Sequence, residues 1–254
     1  MLLEKTLRNK RQEKDILLMT HIVLGYPSFE INREVIAQMV ENGVDCIEMQ
    51  IPFSEPMADG PVILKANQES LAQGTTVKEC MAFGAEMAKT YDIPFLFMTY
   101  YNIIYKYGEE QFIKDCKSLN IQGLIVPDLS PEMGENFFKL AKIHQIAPIL
   151  IYTPTSTDKR METLNKSADG FIYCAARRGV TGSKSSFDED FDTYLARCRS
   201  ATTLPMAVGF GIQDKEDVAT LKGKADIAVI GSQTIRLVDE KGPEAVGPFI
   251  AGLR

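Results

Sequence analysis

Eight short apolar runs alternate with segments of helical period along this 254-residue chain, and that alternation leaves few folds open. The runs are Ile16–Val23, Cys46–Ile51, Pro94–Tyr100, Gly123–Val126, Pro148–Thr153, Gly170–Cys174, Met206–Gly209 and Ile227–Gly231. Between them, Ile31, Val35, Met39 and Val40 share one helical face, as do Phe112, Ile113, Cys116 and Leu119, and Met133, Phe137, Leu140 and Ala141. Stops such as Asn42–Gly43 and Asn120 follow these faces, and Ser28 and Asp188 stand where helix caps are expected. Repeated strand–helix units imply a parallel sheet. Eight of them in about 250 residues is the size of a closed (β/α)₈ TIM barrel. An open doubly wound sheet is the alternative, but eight parallel strands with short connections close more naturally. No Ser/Gly-rich linker or charge block divides the chain, so residues 1–254 are expected to form a single barrel domain.

Charge and composition narrow the partners. The net charge is −6 and no basic run exists to neutralise phosphates, which argues against nucleic acid. No apolar run is long enough to span a bilayer, and the charged Leu2–Lys14 stretch has no signal-peptide pattern. The cysteines at 46, 80, 116, 174 and 198 are spread singly, with no C-x-x-C pair for zinc or redox exchange, a usage that fits a reducing cytoplasm. The two histidines, His21 and His144, lie far apart in sequence. A Ser-His-Asp triad or a histidine metal site is therefore poorly supported, and no metal is expected.

The chemistry concentrates in Asp45–Pro61. Here a run that reads as a buried strand carries one carboxylate, Glu48, and the Pro- and Gly-rich loop after it returns a second, Asp59. Ionised Glu is seldom placed inside a sheet without a purpose, so Glu48 is a candidate acid–base group facing a pocket. Asp–Gly–Pro is also ordinary turn chemistry, which by itself would explain Asp59. In a barrel, however, both residues fall at the C-terminal end of the second strand, where active sites gather. Two acids in unlike surroundings suggest acid–base catalysis.

Glycine turns supply an independent signal on the same face. Gly179–Val180–Thr181–Gly182 follows the sixth run, Gly209–Phe210–Gly211–Ile212 the seventh and Gly231–Ser232 the eighth. Loops after the late strands of such barrels commonly hold a phosphate through backbone N–H groups, and glycine lets the main chain approach the anion. A small phosphorylated substrate is the inference.

With these segments in view, the chain resembles the α subunit of tryptophan synthase. The resemblance covers nearly its whole length. It rests on Leu24–Gly25–Tyr26–Pro27, Ile51–Pro61, Tyr100–Tyr101–Asn102, Val126–Pro127–Asp128–Leu129, Arg177–Gly182, Gly209–Ile212 and Gly231–Ser232. It implies a (β/α)₈ barrel that cleaves indole-3-glycerol phosphate to indole and glyceraldehyde 3-phosphate. It also implies an α2β2 complex in which indole passes to a β subunit. No cofactor is implied for this chain, pyridoxal phosphate belonging to the β partner.

Carried over residue by residue, the resemblance makes Glu48 the general acid–base group, with Asp59 facing the indole N–H. Thr181 would orient Asp59, and Tyr173 would help position Glu48. Tyr100, Ile125 and Phe210 would line the indole pocket, and Gly182, Gly211, Gly231 and Ser232 would cradle the phosphate. Phe53–Met57 and Asp128–Met133 are the partner-facing candidates.

Three departures stand out. Gln50 occupies a position where the family usually has glycine, Ala176 replaces a usual serine, and His21–Val23 differ from the usual first strand. A subunit that mainly activates a β partner is therefore the alternative function. Lysine-based aldolase chemistry, a third reading, lacks a clear strand-end lysine.

Overall fold

A computed structural model of the chain describes residues 2–175, 189–209 and 211–254. Its eight strands are β1 (Leu17–Val23), β2 (Cys46–Gln50), β3 (Phe95–Met98), β4 (Gly123–Ile125), β5 (Ala147–Tyr152), β6 (Ile172–Ala175), β7 (Met206–Gly209) and β8 (Ile227–Ile230). All pair in parallel, each with its sequence neighbour, and β8 closes on β1. Every expected strand is present, with no end shifted by more than two residues.

Two apolar layers hold the barrel. Alternate residues of each strand point to opposite faces. Leu17 and Met19 of β1, Leu96 and Met98 of β3, and Ile227 and Val229 of β8 pack in the barrel interior. Their neighbours Leu18, Ile22, Phe95, Phe97, Ala228 and Ile230 face outward, where Val35, Met39, Phe83 and Phe112 of the helices cover them. Because both faces are buried, the strands read as continuous apolar runs.

The helices begin and end for local reasons. Ser28 caps Phe29–Glu41, its Oγ accepting from the Ile31 N–H at 3.2 Å. Thr76 and Glu79 form a reciprocal capping box at the start of Val77–Thr90. The face expected to run from Met133 begins later. Helix Glu135–Ile143 buries Phe137 and Ala141, whereas Met133 lies in the preceding turn and is 82% exposed. Asp188, the other expected cap, lies outside the described residues.

One element was not anticipated. The charged N-terminal stretch forms a helix, Leu2–Glu13, and its Leu3 and Leu7 are buried against the interior layer. A Cβ on Gly170 would come within 2.8 Å of Leu3 Cδ2, so this glycine lets the helix close over the N-terminal end of the barrel. Behind it, Asp45 has no exposed side-chain surface. It accepts from Lys14 Nζ at 2.5 Å and the Leu18 N–H at 3.0 Å, and it pairs with Arg254. One carboxylate thereby ties the start of the barrel to the chain's last residue.

Candidate active site

Strand alternation decides which side chains reach the barrel mouth. In β1 the inward set that begins with Leu17 and Met19 continues to His21, and in β2 the set that begins with Cys46 continues to Glu48 and Gln50. Parallel pairing sets His21 directly beside Glu48. Three polar side chains are thus buried at one end of an otherwise apolar interior.

Their contacts are specific. His21 Nδ1 lies 2.7 Å from Glu48 Oε1, both side chains being 4% exposed. Gln50 Nε2 donates to Asp59 Oδ2 at 2.7 Å, and the Tyr100 hydroxyl donates to the same oxygen at 3.3 Å. The Ala58 N–H donates to that hydroxyl at 3.0 Å, while Phe53 stacks on the Tyr100 ring with centroids 5.0 Å apart. The loop carrying Asp59 is therefore fastened over the barrel end. Asp59 is less a turn residue than a held carboxylate.

Electrostatics follow from this packing. Burial raises the proton affinity of Asp59; Gln50, the charge of His21 and Tyr100 oppose the shift, and Glu48 adds to it. For His21, burial works against the proton, but the hydrogen bond and charge of Glu48, the charge of Asp59 and Gln50 together prevail, so its pKa rises. Tyr173 is pushed well above the ordinary phenol value by burial, then by Glu48 and Asp59. Both carboxylates are near enough to act on it.

Of the residues expected from sequence, Glu48, Asp59, Tyr100, Ile125 and Tyr173 come together here, with Ile125, Tyr100 and Tyr173 in the interior apolar layer. Gly231 precedes helix Ser232–Lys241, which Ser232 opens, and Gly211 has φ +88. A Cβ at either glycine would meet no described atom within 4 Å, so the backbone there is open to a ligand. Thr181, Gly182 and Phe210 lie outside the described residues, as does Ala176. His21 was passed over because sequence spacing alone does not bring it to Glu48; strand register does. Among the described residues no group of three His, Cys, Asp or Glu side chains could hold a metal ion.

Comparison with known proteins agrees with this geometry. The family profile described as Tryptophan synthase alpha chain matches residues 7–247. The chain belongs to the tryptophan synthase alpha chain family. It is 72% identical over 254 residues to the tryptophan synthase alpha chain of Desulfotalea psychrophila, covering all of both chains. It is 55% identical over 253 residues to that of Syntrophotalea carbinolica, again covering 100% of each. Among solved structures, a Mycobacterium tuberculosis tryptophan synthase chain superposes with a TM-score of 0.90 at 27% identity, covering 99% of this chain and 96% of that one. A chain from a study of mutual activation in the Pyrococcus furiosus tryptophan synthase α2β2 complex gives 0.87 at 27% identity, covering 93% and 97%. As a member of this family the chain is a carbon–carbon lyase of tryptophan biosynthesis that cleaves indole-3-glycerol phosphate to indole and glyceraldehyde 3-phosphate.

Proposed function

We propose that Glu48 and Asp59 divide the cleavage between them. Glu48 protonates C3 of the indole ring, and the positive charge that develops at the ring nitrogen is stabilised by the Asp59 carboxylate facing the N–H. Glu48, now ionised, takes the proton from the hydroxyl on the adjacent carbon C3′. The C3–C3′ bond then breaks. Its electron pair returns to the ring, and the oxygen's electrons close the aldehyde carbonyl. The net change is one proton moved from oxygen to C3. Since the protonated ring is itself the electron sink, the reading requires no cofactor in this chain.

The observation that carries this reading is the convergence of the two carboxylates on one barrel end. Each is held through one oxygen by a different neighbour, and Tyr173 senses both. Glu48 Oε2 is buried with no hydrogen-bond partner among the described residues, as a group that meets substrate should be. Tyr100, Ile125, Tyr173 and Phe210 would line the indole site, Thr181 would orient Asp59, and Gly182, Gly211, Gly231 and Ser232 would receive the phosphate.

We assign residues 1–254 to one domain acting in the cytoplasm, which the five free, buried cysteines support. No described helix is long and apolar enough to cross a membrane. The partner is a tryptophan synthase β subunit in an α2β2 complex, with pyridoxal phosphate in that partner. Met57 and Met133, 87% and 82% exposed on loops after β2 and β4, are the apolar anchors for it.

The test is to incubate the purified chain with indole-3-glycerol phosphate, with and without a β subunit, and measure glyceraldehyde 3-phosphate. Release that rises when the β subunit is added is the expected result. No release in either case would refute the lyase reading.

A further inference from the structure

His21 plays no part in the chemistry above, yet it makes the one hydrogen bond that the Glu48 side chain has among the described residues. With the transferable Glu48 proton on Oε2, Oε1 accepts in both charge states, and the His21 ring nitrogen facing it at 2.7 Å is the donor. The contact is enforced from below. His21 and Glu48 are register partners on adjacent parallel strands, and both backbones are fixed in the β1–β2 ladder. Nothing in the contact depends on a loop.

The consequence is geometric. With Oε1 tied to Nδ1, Glu48 has one oxygen left, Oε2, and it is buried without a partner among the described residues. A carboxyl free to rotate would offer either oxygen in many orientations, whereas this one offers a single oxygen along one direction. Glu48 must give and then retake a proton during the cycle, and a fixed N–H on Oε1 leaves Oε2 as the oxygen for both transfers.

We propose that His21 is a positioning residue for the lyase reaction, holding Glu48 Oε1 so that Oε2 both gives the proton to C3 and takes it from the C3′ hydroxyl. This rests on the assignment of Glu48 as the acid–base group. The imidazole keeps its own protons throughout, so proton balance within the reaction is unchanged. The groups acting on it are Glu48 and Gln50 on β2 and Asp59 from the loop after β2; Tyr173 on β6 feels the same two carboxylates.

Two variants and one spectroscopic readout test it. His21→Phe keeps a planar ring but removes the donor. His21→Asn places an amide nitrogen at the same number of bonds from the backbone as Nδ1 and restores it. In the complex with the β subunit, His21→Phe should lower kcat about 10- to 100-fold while leaving KM for indole-3-glycerol phosphate nearly unchanged. His21→Asn should recover most of that loss; a merely structural role would not distinguish the two. Independently of activity, the imidazole signals of the free chain can be followed by NMR, where His144 is the single other histidine. The His21 titration midpoint should fall in Glu48→Gln, since the paired carboxylate that raises it is gone.

Wild-type kcat in His21→Phe, with Glu48→Gln inactive, would overturn the role of His21 and leave Glu48 in place. An unmoved His21 midpoint in Glu48→Gln would likewise overturn it. A Glu48→Gln enzyme with wild-type rates would instead remove the reading on which this role rests.

Discussion

Gln50 donates to Asp59 at 2.7 Å, linking a strand residue buried in the barrel to a carboxylate on the loop above it. Among the described residues Asp59 Oδ2 has one further side-chain donor, the Tyr100 hydroxyl at 3.3 Å. Of the two, Gln50 is the shorter contact and the larger influence in lowering the proton affinity of the acid. Gln50→Leu should therefore lower kcat/KM about tenfold through misplacement of Asp59. Since Asp59 acts ionised, losing the group that favours ionisation should also move the acid limb of the kcat/KM profile to higher pH. Rates measured between pH 5 and 8.5 check both; an unshifted acid limb would separate Gln50 from Asp59.

Asp59 itself illustrates function held against stability. A carboxyl whose pKa is raised by folding binds its proton more tightly in the native state. It therefore favours the fold at low pH and costs stability as pH rises through the folded-state value. Asp59→Asn removes that cost while its amide oxygen still accepts from Gln50. The variant should show a higher urea midpoint than wild type at pH 7.5, with the gain shrinking as pH falls toward about 4. It should also lose most turnover. A lower midpoint at pH 7.5 would contradict the electrostatic account.

Far from the mouth, Asp45 carries the largest predicted stability effect. It accepts from Lys14 and the Leu18 backbone and pairs with Arg254, with no exposed side-chain surface of its own. Asp45→Ala leaves a buried backbone N–H and the cations of Lys10, Lys14 and Arg254 without their shared partner. It should destabilise the chain by about 3 kcal/mol, read from urea unfolding. An Arg254→Ala variant, whose cation is partly solvated, should cost less.

Met57 and Met133 give the partner assignment a direct test. Replacing either with Asp should weaken association with a β subunit about tenfold or more by titration calorimetry. The partner-independent rate should stay near wild type. Unchanged affinity in both variants would move the interface elsewhere.

Much of this was legible in the sequence, for identifiable reasons. Fully buried parallel strands leave continuous apolar runs, and all eight were readable. Glu48 stood out because it interrupts such a run. The same continuity hides facing, so no pattern in Leu17–Val23 marked His21 as inward, and its link to Glu48 arises from register between strands 27 residues apart. The N-terminal helix was obscured by its charges, although Leu3 and Leu7 stand at the i, i+4 spacing that buries one face. Met133 matched a helical face by spacing but lies ahead of the helix, in a turn closed by the Gly134 N–H donating to the Ser130 carbonyl at 2.9 Å.

The most direct test of the account is single-turnover cleavage of indole-3-glycerol phosphate by Glu48→Gln in the presence of the β subunit, alongside calorimetric binding of the substrate. Gln keeps the shape and removes the proton that must be given and taken back. We expect cleavage to fall by at least about 10²-fold with affinity within a few-fold of wild type. Cleavage at the wild-type rate would contradict it.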